Sequence, residues 1–457
     1  MSSTLDSVTE MRSIAATREM LRPDAAGAEL HDRIRRLYPI CRSISGDGVR
    51  QTLSMLAEEI PLTVEEVPTG TPAYDWSVPK EWNIRDAYIK DATGVRIVDF
   101  RVSNLHVVGY SRPVHGFLSL SELRPHLHSI PEHPDWIPYK TSYWSETWGF
   151  CIPDRLLQSL REGQYEVCID SSLEPGHLTW GQCVLEGRET DEVLISCHIC
   201  HPSLCNDNLS SISIAVTLAR LLTAIPRRYT YRFLFIPATI GAITWLSRHE
   251  DVVARIRHGL VLACLGDRGQ STYKRSRRGN ALIDRAVAHV LQHSVAGFSI
   301  RDFSPYGYDE RQYCSPGFNL PVGLLSRTPH GCFPEYHTSA DNLEYVDPHS
   351  LADSLAKILS VVEVLEGDRI CLNRSPKGEP QLGKRGLFGS MGGFGAGREA
   401  ESALLWVLNF SDGEHSLLDI AERSGLSFTA IRAAADALIR CDLLAAQTVD
   451  SDRACNR

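Results

Sequence analysis

The chain has 457 residues, which at about 100–200 residues per domain leaves room for two to four domains. Hydrophobic residues make up 43% and charged residues 23%, a globular balance that excludes a disordered or collagen-like chain. With 47 Lys and Arg against 56 Asp and Glu, the formal charge of −9 gives no bulk attraction to nucleic acid or an anionic membrane.

Asp6, Glu10, Arg12 and Arg18 break up the apolar stretches near the amino terminus, so no secretory h-region is expected, and no run of about 18 apolar residues would span a bilayer. Thirteen scattered cysteines, an odd number in a chain large enough to bury a core without staples, point to a reduced, cytoplasmic setting. Leu30, Ile34, Leu37 and Tyr38, then Val49, Leu53, Leu56 and Ala57, recur at helical spacing and predict two helices within 27–62. Residues 63–149 change to short alternating segments broken by Pro and Gly. With Tyr74, Trp76, Trp82, Trp136, Tyr139, Tyr143, Trp144 and Trp148, they predict a small inserted β-rich domain. Residues 150–375 alternate predicted strands (165–170, 192–197, 229–236, 259–264, 321–325) with predicted helices (209–223, 239–248, 280–292, 349–365). Together with 27–62 this predicts an α/β domain, a mainly parallel sheet with helices on both faces. Eight glycines in 378–398 predict a linker over 376–398. Three short apolar-periodic stretches in 399–450, with Gly425 between the second and third, outline a winged helix.

The chemistry concentrates in Ser196-Cys197-His198-Ile199-Cys200-His201-Pro202-Ser203-Leu204-Cys205-Asn206-Asp207-Asn208. This stretch follows an apolar strand and precedes the helix pattern of Ile212, Ala215, Val216 and Leu218. It therefore lies at the carboxyl end of a predicted parallel strand, where open α/β sheets build their sites. Two imidazoles and a carboxylate within ten residues are donors that zinc accepts. Far downstream, His337 is followed four residues later by Asp341, and a metal-bound His usually gives its second N–H to such an acceptor. Gly266-Asp267-Arg268-Gly269 and Tyr308-Asp309-Glu310-Arg311 lie between. Cys197, Cys200 and Cys205 form a competing ligand set, although an all-thiolate site needs a fourth cysteine and buried thiols are common core residues.

Taken in order, these pieces resemble the co-catalytic zinc aminopeptidase superfamily. More narrowly, they resemble bacterial aminopeptidase-like proteins with an inserted β domain and a carboxyl-terminal winged helix. His-Ile-Cys-His-Pro-Ser, Tyr-Lys-Arg-Ser-Arg-Arg-Gly-Asn, Asp-Glu-Arg-Gln-Tyr-Cys-Ser-Pro-Gly and Glu-Tyr-His-Thr-Ser-Ala-Asp-Asn carry the narrower resemblance, which covers most of residues 27–445. It implies one or two zinc ions, held by His198, the bridging carboxylate Asp207, Asp267 and His337, with His201 completing a position and Asp341 behind them. Two departures stand out. Cys200 occupies the place of the Asp in His-x-Asp, and Ala238-Thr239 stands where the superfamily has Glu-Glu, the general base and a ligand of the second metal. Three explanations compete: a Glu changed to Ala to trap a complex, a naturally inactive relative, or a base moved to Glu310 or Glu335.

The implied activity is zinc-assisted hydrolysis of an amide in a small peptide-like or aminoacyl molecule, within a natural-product or surface-polysaccharide pathway. Tyr336 or Tyr313 is the expected oxyanion donor. Arg275 and Arg277, from five cations between Arg268 and Arg278, join Arg311 as expected contacts to substrate anions. The alternatives are a non-catalytic metal- and ligand-binding relative, and a regulator sensing a ligand in the hydrolase domain. The third helix of the winged module sets Arg432 and Arg440 against Asp436 and five alanines, so DNA binding is not expected. Packing, covering of the substrate, or homo-oligomer formation through this module or the β domain is expected instead. The tryptophans of the β domain either cap the cleft or fill a small core.

Overall fold

The structure, a computed structural model, describes residues 13–387 and 397–447. The predicted linker at 376–398 therefore lies partly outside the described residues, as do 1–12 and positions 448–450 of the predicted winged helix. The chain divides into two compact units. The first takes the residues up to Asp284 with Ala296–Ile358, and the second takes Arg285–Val295 and the residues from Leu359 onward.

Eight strands build the large sheet of the first unit: β1 (Thr63–Pro68), β2 (His177–Leu185), β3 (Glu192–His198), β4 (Thr230–Ile236), β5 (Ile256–Leu262), β6 (Ser271–Lys274), β7 (Phe298–Arg301) and β8 (Val322–Ser326). Their order is β1-β2-β4-β3-β5-β8-β6-β7. The centre, β4-β3-β5-β8, is parallel, whereas β2 runs antiparallel to β4, β1 to β2 and β6 to β8, so the sheet is mixed. Every residue of β3 and β4 is buried, as continuous apolar runs in a sheet covered on both faces require. The polar exceptions answer one another: Glu192 on β3 accepts from Arg232 on β4 at 2.7 Å. From β3 the chain moves to one side for β4, then crosses to the other side for β5. That reversal opens a crevice at the carboxyl ends of β3 and β5.

Two boundaries differ from the sequence expectation. Segment 165–170 is not in the large sheet. Gln164–Glu174 pairs with Glu81–Lys90 and Val114–Ser119 in a separate four-stranded sheet completed by Arg96–Asp99, so the β-rich part runs past 149. Its alternating burial fits a sheet covered on one face and contrasts with the wholly buried β3. Conversely, Thr63–Pro68 is the exposed edge strand of the large sheet rather than part of the insertion. Trp82 and Trp148 fill the insertion's core, while Trp76 and Trp144 are exposed and face each other with centroids 5.1 Å apart.

In the second unit, Ile370–Asn373 forms a three-stranded sheet between Asp412–Ser416 and Leu444–Ala446. This module therefore starts before the Gly-rich segment rather than at 399, because a four-residue strand carries too little periodicity to read from sequence. Helices Gly397–Phe410, Leu417–Ser424 and Phe428–Arg440 complete it. Gly425 takes φ +70° to end the middle helix, a left-handed cap that glycine adopts without strain. Ser427 then caps the third helix by accepting from Ala430 N–H.

His258 on β5 carries a consequence for acid stability. It is buried, its Nδ1 lacks a partner, and Arg228, Arg257 and Arg278 stand nearby; burial first, then those cations, hold its pKa down to about 3. Unfolding lets the ring titrate near its ordinary value of about 6.5. The stability this neutral ring contributes is therefore complete above that pH and lost as pH falls toward 3. Between pH 7 and pH 5 the expected loss is about 2 kcal/mol, read by urea denaturation. His258→Gln should flatten that part of the profile, and an unchanged slope would refute the assignment.

Candidate metal centre

His198 closes β3, and the chain returns through the turn Cys205–Ser210 into helix Ser211–Thr223. The backbone leaves helical angles at Asp207 and Asn208, which directs the Asp207 carboxylate back at His198. Polar side chains lock this turn to the neighbouring loops. Asn206 accepts Gly266 N–H at 2.8 Å and donates to Asp267 at 3.1 Å. Asn208 donates to Leu262 O at 3.1 Å and accepts Cys264 N–H at 3.3 Å. The Asp341 carboxylate takes the N–H groups of both Asn206 and Asp207, and burial pushes its pKa up to about 7. Buried Arg42 donates to His201 O at 2.7 Å and Pro202 O at 3.0 Å, fixing the loop that carries His201.

Three imidazoles converge on one carboxylate. His198 Nε2 lies 2.9 Å from Asp207 Oδ1, while His337 Nε2 and His201 Nδ1 lie 3.1 and 3.3 Å from Oδ2. His198 Nε2 and His201 Nδ1 are 3.3 Å apart. Burial opposes the charge on Asp207, yet His201 and His198 hold its pKa well below the carboxylate range. Burial lowers His198 and His337, so both rings are neutral, the form that binds metal. At His201 burial is outweighed by Asp207, which raises its pKa. Rings wall the cluster: Tyr308 stacks on His198 and donates to Asp207 Oδ1 at 3.1 Å, Tyr336 stacks on His337 with centroids 3.9 Å apart, and Tyr139 meets His201 and His337 edge-on. His198, His201 and Asp207 bring donor atoms within 4.8 Å of one another. With His337, the set offers three nitrogens and a carboxylate oxygen, a chemistry that fits zinc.

Other expected residues lie elsewhere. Asp267 does not join the cluster, because four donors already occupy its oxygens: Gly269 N–H, Thr328 N–H, the Thr328 hydroxyl and the Asn206 amide. Asp341 does not take a proton from His337; it secures the Asp207 turn. The Tyr313 ring is fully buried, with its hydroxyl 3.0 Å from Ser196 Oγ, which removes it as an oxyanion donor. Glu310 is buried in an ion pair with Lys274, so it is not a free base. Half-buried Glu335 lies in the turn before His337, where its carbonyl accepts from Thr338. Arg275 and Arg277 brace a surface turn through Gly279 O and Asn319 Oδ1, whereas Arg311 reaches Thr239 Oγ1 at 3.4 Å, beside Ala238. Burial keeps the thiols of Cys197, Cys200 and Cys205 protonated, with Cys200 pushed up to about 12, which disfavours a thiolate site. Tyr308 and Tyr139 were not read as site residues: one stands in a stretch that drew notice for its charged groups, and the other among many aromatics.

Comparison with known proteins agrees with this fold. Residues 31–368 match the family of the domain of unknown function DUF4910, and residues 369–446 match a winged helix-turn-helix family. A Clostridium acetobutylicum protein named for polysaccharide biosynthesis and an aminopeptidase-like domain is 50% identical over 418 residues, 92% of this chain and 96% of that protein. A crystal structure from the same organism, of a protein titled as a peptidase, superposes with a TM-score of 0.90 at 48% identity, over 95% of this chain and 99% of that one. A zinc aminopeptidase from Bacillus subtilis shares the fold alone, with a TM-score of 0.55 and 11% identity over 74% of this chain and 95% of that one.

Proposed function

The chain belongs to the DUF4910 family, with an aminopeptidase-like fold and a carboxyl-terminal winged helix, and on that premise we propose that it is a zinc-dependent hydrolase of an amide in a small peptide-like or aminoacyl molecule. The observation that carries this reading is the convergence of His198, His201 and His337 on Asp207 at the crevice beside β3. Bound there, zinc would lower the pKa of water toward about 7 and polarise the scissile carbonyl. Asp207 supplies the negative charge that favours a cation, while its turn is held through Asp341 and Asn206. Tyr336, stacked on His337, is the proposed oxyanion donor, and Tyr139 helps exclude water from the histidines. Arg311 is the proposed anchor for a substrate carboxylate. The name of the Clostridium relative supports a setting in polysaccharide assembly.

A second reading, a metal-dependent ligand-binding protein without catalysis, is favoured by Ala238, which has no group to accept a proton. Zinc-loaded and chelator-treated chain, offered a panel of aminoacyl amides, separates the two. Zinc-dependent cleavage supports the hydrolase. Zinc binding without cleavage, in this chain and in Ala238→Glu, supports the binder. We assign the winged helix no nucleic-acid role, because Arg432 pairs with Glu363 and Asp436, and Arg369 with Asp436. A cytoplasmic location is supported by the twelve unpaired cysteines among the described residues. No helix among those residues is long and apolar enough to cross a membrane.

A further inference from the structure

Asp309 begins the short helix Glu310–Tyr313, where an aspartate ordinarily accepts an N–H from the first turn, yet its side chain makes no capping bond. It is only 1% exposed, and its Oδ1 has no hydrogen-bond partner. A buried carboxyl oxygen without a hydrogen-bond partner is costly unless it serves a purpose. Its surroundings locate it. The Cys200 thiol, which feels the charge of both Asp309 and Asp207, reaches the Ala238 carbonyl at 3.8 Å. Arg311, which also acts on Asp309, reaches Thr239 at 3.4 Å. Asp309 therefore lies within electrostatic range of Cys200 and Arg311, the two side chains that touch the Ala238-Thr239 turn, and next in the chain to Tyr308, whose hydroxyl holds Asp207. The other acids nearby are engaged: Asp207 by three histidines, Asp341 by two backbone N–H groups, Asp267 by four donors and Glu310 by Lys274.

We propose that Asp309 acts as the general base of the hydrolysis, in place of the glutamate missing at position 238. This rests on the hydrolase reading. As the water oxygen bonds to the amide carbonyl carbon, Asp309 takes one proton from that water. As the C–N bond breaks, Asp309 returns the proton to the leaving nitrogen, giving a carboxylic acid and an amine. Atoms balance with water alone as co-reactant. Burial, with the like charge of Glu310, raises the Asp309 pKa to about 7, so the base form grows through neutral pH.

The test is hydrolysis of the amide panel by zinc-loaded native chain, Asp309→Asn, Ala238→Glu and the double variant. The native kcat/KM should rise with pH through a limb near 7. Asp309→Asn should lower kcat/KM by about 10²- to 10⁴-fold and abolish that limb while zinc content and urea midpoint stay near native. Adding Ala238→Glu to Asp309→Asn should restore turnover, with the limb moved to lower pH. Asp309→Asn within about threefold of native, a change too small for the loss of a base, and with an unchanged pH profile, overturns the proposal and leaves the hydrolase reading standing. So does cleavage by Ala238→Glu when the native chain is inert. If neither cleaves any amide, the hydrolase reading falls, and the role of Asp309 falls with it.

Discussion

Asp207→Asn is expected to strip the chain of zinc. Asp207 is the side chain that His198, His201 and His337 all touch, at 2.9 to 3.3 Å, and its carboxylate is the only anionic donor of the set. Asparagine keeps the shape and removes the charge. Losing a supporting partner around a metal typically weakens affinity about 10- to 100-fold, so losing a charged ligand should cost more than about 100-fold. The turn itself should survive, because Asp341, Asn206 and Asn208 hold it through groups the substitution leaves untouched. Chelator competition reads the affinity and urea denaturation of the metal-free chain reads the fold. Native-like zinc affinity in Asp207→Asn would remove Asp207 from the site.

Ala238→Glu should produce the largest gain. A general base contributes about 10²- to 10⁴-fold, and with Asp309 already acting the rise should lie toward the lower end of that range. Position 238 is half-buried and follows the end of β4, the strand paired with the His198-bearing β3, and its carbonyl is 3.8 Å from the Cys200 thiol. Arg311, with a buried Nε that lacks a partner and its Nη2 at Thr239, stands ready to orient a carboxylate there. Ala238→Gln is the control: it fills the same volume, cannot take a proton, and should leave kcat/KM near the native value. An equal gain in both variants would mean that packing, rather than proton transfer, was restored.

Much of this was legible in the chain because His198 closes a predicted strand and Asp207 precedes a predicted helix, while His337 was marked by the carboxylate of Asp341 four residues on. The largely apolar runs of β3, β4 and β5 likewise announced a sheet buried on both faces. What escaped follows from contacts that spacing does not encode. Asp267 and His201 are both plausible donors in one dimension, and only the folded chain shows the first sequestered by Thr328 and the second turned onto Asp207. Gln164–Glu174 was given to the wrong sheet because a strand's partners are not written in its own periodicity, and Ile370–Asn373 was missed because four residues carry too little of it. Asp309 stood out only as part of a motif, with nothing to mark it as a base, since an acid before a helix is ordinarily a cap.

The most direct test of the central claim is X-ray absorption at the zinc edge of the zinc-loaded chain. Ligation by the three histidines and Asp207 predicts a first shell of nitrogen and oxygen at about 2.0–2.1 Å with imidazole scattering beyond it. A sulfur shell at about 2.3 Å, from Cys197, Cys200 or Cys205, would contradict it.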